Sequence, residues 1–326
     1  MLGFTHDTDL AKPALVPLAS QMAFSVSPST GAHLTDKTHL SITRRHRLRM
    51  GHACGITDVG LVRRANEDNF LIDEALSLVI IADGMGGHDA GALASTDAIT
   101  ALRDYVHMAS STVDGNADDD ADCTVPAAGQ IPRTPTPALK LSTAPAMRVD
   151  ASATVLDAMV FANQRLFSHN VARHNLEGQG MGTTMTGLWQ QGDKGPLIVF
   201  HVGDTRLYRY RAGRMVALTR DQTLYQRALE SGATVNLPAR NLLWQAVGPN
   251  SSIEPEIRAH QIEAGDIYLL CSDGLHGAVP DSVIENVVRC ANPANLEQVC
   301  SKLIALAKSY GGRDNITAVM ICCDCG

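Results

Sequence analysis

A run of aliphatic residues, Leu78-Val79-Ile80-Ile81-Ala82, drives straight into Asp83-Gly84-Met85-Gly86-Gly87-His88. Such a run reads as a buried strand, and a buried strand commits a chain to a layered fold. The glycines behind it allow a tight turn and close approach of backbone to a neighbour. A carboxylate at the end of a strand, on a Gly-rich turn, is well placed to hold a metal.

The rest of the chain supplies the layers. Hydrophobic residues make up 45% of 326 residues and aromatics only 4%, so the core is large and aliphatic. Asn69 to Asp73 and Leu76 to Ala82 read as two strands of a hairpin joined through Asp73-Glu74-Ala75. From Gly87 to Met108 the chain reads as a helix whose apolar stripe is Ala90, Leu93, Ala94, Ala98, Ala101, Leu102 and Tyr105. A second helix spans Ala151 to His174. Strands follow at Thr183 to Gln190, Leu197 to Val202, Thr205 to Tyr210 and Met215 to Leu218, with Gly192-Asp193-Lys194-Gly195 as a hairpin turn. Strands return at Glu256 to Ile262 and Ile267 to Ser272. Helices at Asp281 to Cys290 and Asn295 to Tyr310 precede a last strand, Ile316 to Cys323, apolar or small at nearly every position and buried on both faces. Hairpin-linked strands imply antiparallel pairing, and helix pairs bracketing strand runs argue against a parallel βαβ sheet. The fold class expected is α+β: a central antiparallel β-sandwich flanked by helix pairs, in four α-β-β-α layers.

Three segments stand apart from that core. Residues 1–50 form an N-terminal extension without periodicity; its basic cluster Arg44-Arg45-His46-Arg47-Leu48-Arg49 reads as a solvated linker or a docking patch. The ordered domain, 51–326, is interrupted by residues 110–148, where Asp118-Asp119-Asp120, five prolines and no aromatics mark a disordered insertion. Residues 221–256 carry a short helix and scattered Gly and Pro, the mark of a flap.

Charge and composition also exclude. A net charge of −7 argues against a general nucleic-acid binder. No apolar run reaches the ~18 residues a membrane helix needs, and an acid with two prolines (Asp7, Pro13, Pro17) breaks any secretory signal. Eight cysteines without framework spacing read as reduced thiols. A cytoplasmic protein is expected.

Four acids sit beside Gly or another small residue at strand ends: Asp83, Asp204, Asp273 and Asp314, with Glu67-Asp68 as a fifth group. Each alone is an ordinary turn. Together they are the oxygen-only donor set that hard cations such as Mg²⁺ or Mn²⁺ prefer.

The ordered series Val62-Arg63-Arg64-Ala65-Asn66-Glu67-Asp68-Asn69, Ala82-Asp83-Gly84-Met85-Gly86-Gly87, Gly182-Thr183-Thr184, His201-Val202-Gly203-Asp204-Thr205-Arg206, Ser272-Asp273-Gly274-Leu275 and Gly311-Gly312-Arg313-Asp314-Asn315-Ile316-Thr317 resembles the metal-dependent protein phosphatases (PPM, type 2C), closest to their bacterial serine/threonine branch. The resemblance runs from about Gly51 to Cys323 and skips the insertion. It implies two Mg²⁺ or Mn²⁺ ions, with Asp83 bridging both, the Gly84 carbonyl on one, Asp273 and Asp314 on the other, and Glu67 reaching one through water. It implies a third, weaker ion at Asp204, shared with Asp273. Arg63 matches the phosphate-binding arginine, and Asp68 the acid that hydrogen-bonds metal-bound water. The reaction implied is hydrolysis of phosphoserine and phosphothreonine by direct attack of a metal-bridging hydroxide. The partners implied are phosphorylated proteins and a cognate Ser/Thr kinase, and the state is a monomer. A non-catalytic phosphoprotein-binding module of the same fold is the alternative.

The remaining candidates are weighed against plainer roles. Arg64 is the competitor to Arg63, and strand alternation sends the two to opposite sides. Met85 stands where eukaryotic members carry a proton-donating His; His88 reads as a turn residue. Thr219-Arg220-Asp221-Gln222-Thr223 departs from the common Asp-His-Ser at the flap entrance, a change expected to bear on substrate choice. Trp244 and His201 read as packing residues, Thr183 and Thr184 as strand residues. Ser272 has no visible base and is rejected as a nucleophile.

Overall fold

Alternating burial on two faces organises this protein. In the computed structural model, residues 41–42, 45–87, 90–114 and 150–324 are described. In chain order the elements are β1 (Ser41–Ile42), β2 (His46–Leu48), β3 (Gly51–Asp58), β4 (Asp68–Asp73), β5 (Leu78–Met85), α1 (Ala90–Asp114) and α2 (Ala151–Ala172). There follow β6 (Gly182–Thr183), β7 (Met185–Gln190), β8 (Leu197–Val202), β9 (Arg206–Arg211), β10 (Arg214–Ala217), α3 (Leu224–Glu230), β11 (Glu256–His260) and β12 (Ile267–Cys271). The short α4 (Asp273–His276), α5 (Asp281–Val288), α6 (Leu296–Ser309) and β13 (Ile316–Cys323) complete the chain.

The strands form two antiparallel sheets. One runs β1-β3-β13-β12-β9-β10, with β2 also on β3; the other runs β11-β8-β7-β5-β4, with β6 on β5. On β5, Leu78, Ile80 and Ala82 pack against α1 and α2, while Val79 and Ile81 face the other sheet. β13 divides the same way: Ala318, Met320 and Cys322 pack under α5 and α6, and Val319, Ile321 and Cys323 enter the gap between sheets. Continuous apolar strands result because both faces of each sheet are covered. The four layers are helix pair, sheet, sheet, helix pair, as expected.

Several boundaries differ from the sequence reading, each for a local reason. Ordered chain begins before Gly51: β1 and β2 both pair with β3, and Leu48 is fully buried. A three-residue strand needs only one inward side chain, so it leaves no periodicity to read. Its basic neighbours are exposed, yet several are fastened. Arg49 donates to the Leu76 and Ala75 carbonyls, and Arg45 to that of Ala294. α1 continues to Asp114, past the expected start of the insertion; residues 115–149, with Asp118-Asp119-Asp120, lie outside the described residues, as does His88. Leu93, placed on the α1 stripe, is exposed. The strand expected from Thr183 to Gln190 breaks at Thr184 into β6 and β7, for a reason that belongs to the site.

Candidate metal centre

The acids gather where strand ends of both sheets meet. Asp83 lies near the end of β5, directly across from Asp68 on β4. Asp204 sits in the turn between β8 and β9, Asp273 opens α4 just past β12, and Asp314 precedes β13. Arg63, Glu67, Asp83, Asp204, Asp273 and Asp314 line one cleft of about 230 Å³, floored by Gly84 and Met85. Arg63 belongs to a loop, not a strand, so alternation does not separate it from Arg64. Position does: Arg63 lines the cleft and Arg64 does not.

Close packing fixes the cleft wall. Gly84 N donates to the Glu67 carbonyl at 3.1 Å. A Cβ on Gly84 would lie 2.1 Å from Gly91 O and 2.7 Å from Glu67 O, so only glycine fits. Asp83 N donates to Thr184 Oγ1 at 2.9 Å, Thr184 N donates to Asp83 O at 2.9 Å, and Thr183 Oγ1 donates to Asp83 O at 2.8 Å. The two threonines, expected to be plain strand residues, grip the backbone of Asp83, and the strand breaks at Thr184 to allow it. Asn315 ties the Arg63 loop down: its Oδ1 accepts from Glu67 N, and its Nδ2 donates to the Ala65 and Val59 carbonyls.

Asp68 stands behind this wall. Its Oδ2 accepts from Ser272 Oγ at 2.6 Å and Thr317 Oγ1 at 2.7 Å. Ser272 is fully buried in that arrangement, which fits its rejection as a nucleophile. The flap root is fastened to the Asp204 turn. Arg206 donates to both Asp221 oxygens at 2.7 and 2.8 Å. Gln222 Oε1 accepts from Gly203 N at 2.9 Å and from Gln245 Nε2 at 2.8 Å. The unusual Asp221-Gln222 pair therefore braces the flap root against the Asp204 turn, and neither residue lines the cleft. Asn241 and Leu243 reach the cleft from the flap instead. His201 is a core histidine: buried, bonded to Thr186 Oγ1 at 2.7 Å and to the Arg220 carbonyl at 3.0 Å, and pushed down to about 4 by burial. Trp244 is partly exposed.

Electrostatics sets these carboxylates apart from ordinary turn acids. Asp83 is held well above the usual carboxylate range by desolvation, then by the charges of Asp68, Asp273, Asp204 and Asp314. Asp204 is raised to about 8 by burial and by Asp273. Crowded acids that resist ionisation await positive charge. Among the described residues, buried Glu67 Oε1, Asp68 Oδ1 and Asp273 Oδ1 have no hydrogen-bond partner, although buried oxygens are normally satisfied. Among the described residues no three acids already converge at ligating distance, and Asp314 is turned to Arg63 at 2.6 Å. The donor set, oxygen only and over-charged, fits divalent cations; Asp83, the Gly84 carbonyl, Asp273, Asp314, Glu67 and Asp204 are the groups that could hold them.

Three residues at the site have roles that the sequence did not reveal. Thr184 read only as a strand residue, and Asn315 stood in its motif without an assigned task. His276 was not singled out; its Nε2 donates to the Asp204 carbonyl at 2.9 Å. Its place three residues after Asp273 was the available signal.

Comparison with known proteins bears on this geometry. The family model described as protein phosphatase 2C matches residues 63–316. The serine/threonine phosphatase stp of Listeria welshimeri is 28% identical over 278 residues, spanning 83% of this chain and 95% of that protein. The serine/threonine protein phosphatase PstP of Mycobacterium tuberculosis is 31% identical over 269 residues, 81% of this chain but 43% of PstP. The crystal structure of the PstP catalytic domain in complex with 2 manganese ions superposes with a TM-score of 0.62 at 30% identity, covering 83% of this chain and 98% of that one.

Proposed function

The chain belongs to the protein phosphatase 2C family, and from that premise we propose that it is a metal-dependent protein phosphatase hydrolysing phosphoserine and phosphothreonine. The observation that carries the reading is the single cleft where Arg63 faces Glu67, Asp83, Asp204, Asp273 and Asp314. Proteins that present such phosphoresidues are its substrates, and the Ser/Thr kinase that makes them is its opponent. Among the described residues no helix is long and apolar enough to cross a membrane.

Asp83, the Gly84 carbonyl, Asp273, Asp314 and, through water, Glu67 would hold two divalent cations, Mg²⁺ or Mn²⁺, which would supply Lewis acidity toward water and phosphoryl charge; Asp204 would serve a third. The chain's own residues do the rest. Arg63 pairs with Asp314 in this structure, with its side chain about half exposed. A phosphoryl group offers the same guanidinium fork two oxygens, so substrate takes over that partnership. Asp68 is fixed through Oδ2 by Ser272 and Thr317, which leaves Oδ1 to accept a hydrogen bond from water held at the site. Met85 lines the cleft and has no proton to give; the leaving oxygen takes its proton from water.

The test is hydrolysis of p-nitrophenyl phosphate and of a phosphothreonine peptide with Mn²⁺, in the wild type and in Asp83→Asn and Asp273→Asn. Activity should appear with metal and vanish in both variants. Full activity in EDTA, or in either variant, would sink the proposal.

A further inference from the structure

The sandwich has an open edge where the two sheets end, away from the acid cleft. There β11 closes one sheet, and β10, paired to β9, closes the other. Strand register fixes which side chains face each other across the gap. Arg258 pairs with Val199 and His260 with Leu197, both residues of the core between the sheets. Arg209 pairs with Tyr268, also of that core. Their neighbours Ile257, Tyr208 and Tyr210 pack outward against the helices. Arg209 of one sheet and Arg258 and His260 of the other thus share one inter-sheet face, with Arg211 at its end.

Acids answer only part of this charge. Arg211 is bound by Asp266 and Glu263, and Arg258 by Glu256. Among the described residues Arg209 has no ion-pair partner. Its buried Nε and the buried Nε2 of His260 both lack a hydrogen-bond partner. Leaving a buried polar atom unpaired is costly, and here two sit in one cationic cluster. Burial, and then the field of Arg209, Arg258 and Arg211, pushes the His260 ring below the ordinary histidine range.

We propose that Arg209 and His260 form a second oxyanion site, at the sandwich edge, which takes a phosphate-class dianion, free or carried on a protein. The guanidinium supplies a fork and one uncompensated charge. The imidazole supplies a second donor, and a dianion makes its protonation favourable. A chloride ion satisfies neither the geometry nor the second charge.

The site is read at His260 itself, so the result does not depend on the phosphatase reading. The probe is the full chain loaded with Mg²⁺ and labelled on histidine nitrogen, with His260 assigned by its loss in His260→Gln. Three additions are compared at equal ionic strength: inorganic phosphate, a peptide bearing a non-hydrolysable phosphonate, and chloride. Millimolar phosphate should move the His260 resonances and raise its titration midpoint by about one pH unit, and neither change should occur in Arg209→Met or, if that fails to fold, Arg209→Gln. A response to the peptide at lower concentration than to free phosphate identifies a protein-borne group; a response to phosphate alone identifies the free ion. No response to either, an equal response to chloride, or a response that survives loss of Arg209 overturns the proposal.

Discussion

Asp83→Asn should stabilise the metal-free protein while abolishing its activity. The Asp83 carboxylate has no hydrogen-bond or ion-pair partner among the described residues, since its threonine contacts go to backbone N and O. An amide therefore loses no bond. What it removes is a charge desolvated by the protein and repelled by Asp68, Asp273, Asp204 and Asp314. Two like charges about 6 Å apart at an effective dielectric constant near 20 repel by about 3 kcal/mol. Even partial relief of one such pair gives a gain on the order of 2 kcal/mol, enough to raise the melting temperature by several degrees. Cation reverses the order. At about 100 times its dissociation constant a ligand of the native state adds about 2.7 kcal/mol, and the variant forfeits most of that. The assay is thermal melting of both proteins in EDTA and across a Mg²⁺ series. Equal stabilisation of both by Mg²⁺, or an Asp83→Asn protein that melts below wild type in EDTA, would refute the account of the acids as a charge cluster that awaits metal.

Gly84→Ala should cost about 3 kcal/mol and most of the activity, because its Cβ would lie 2.1 Å from Gly91 O and must push the Glu67 backbone away; urea melts and p-nitrophenyl phosphate turnover check both. Gln222→Leu strands the Gly203 N–H and releases Gln245, so a loss of about 1–3 kcal/mol is expected, with lower turnover as the Asp204 turn loosens. His201 titrates near 4 when folded against an ordinary 6.5. The unfolded chain thus binds the proton first, and the contribution of His201 is whole above about 6.5 and is lost as pH falls toward about 4. The stability advantage of wild type over His201→Gln should therefore shrink by about 2 kcal/mol between about pH 7.5 and about pH 5; parallel urea midpoints at the two pH values would contradict the buried neutral ring.

The sequence exposed what local chemistry writes down and concealed what long-range contact decides. Asp83, Asp204, Asp273 and Asp314 were legible because each follows or precedes an apolar strand beside a small residue. β13 was legible to the residue because both its faces are buried and every position shows it. β1 and β2 were not, since their order comes from pairing with β3 rather than from any pattern of their own. Thr184 looked like a strand residue because its partner, the Asp83 backbone, lies 101 positions away. Asp221 and Gln222 looked like a departure bearing on substrate choice. Only the fold shows Arg206 and Gly203 behind them.

Placement of the acids also explains how the chain tolerates them. Asp83 is carried by one sheet, Asp273 and Asp314 adjoin strands of the other, and Asp204 sits where β8 hands the chain across to β9. Asp68 meets Asp83 within one sheet and Asp273 meets Asp314 within the other, but the two groups repel each other only once the sheets pack, so that part of the repulsion enters with the core. That core, including fully buried Val79, Ile81, Tyr268, Leu270, Val319 and Ile321, is what offsets it, since each fully buried large apolar side chain contributes about 1.5–3 kcal/mol. Cavities in the inter-sheet layer should therefore weaken the metal-free protein most, and added cation should restore part of the loss: Ile81→Ala is expected to melt well below wild type in EDTA and to gain at least as much from Mg²⁺ as wild type does. A variant that Mg²⁺ fails to stabilise, though still folded, would mean the cleft is assembled by its local hydrogen bonds alone and not by the packing of the sheets.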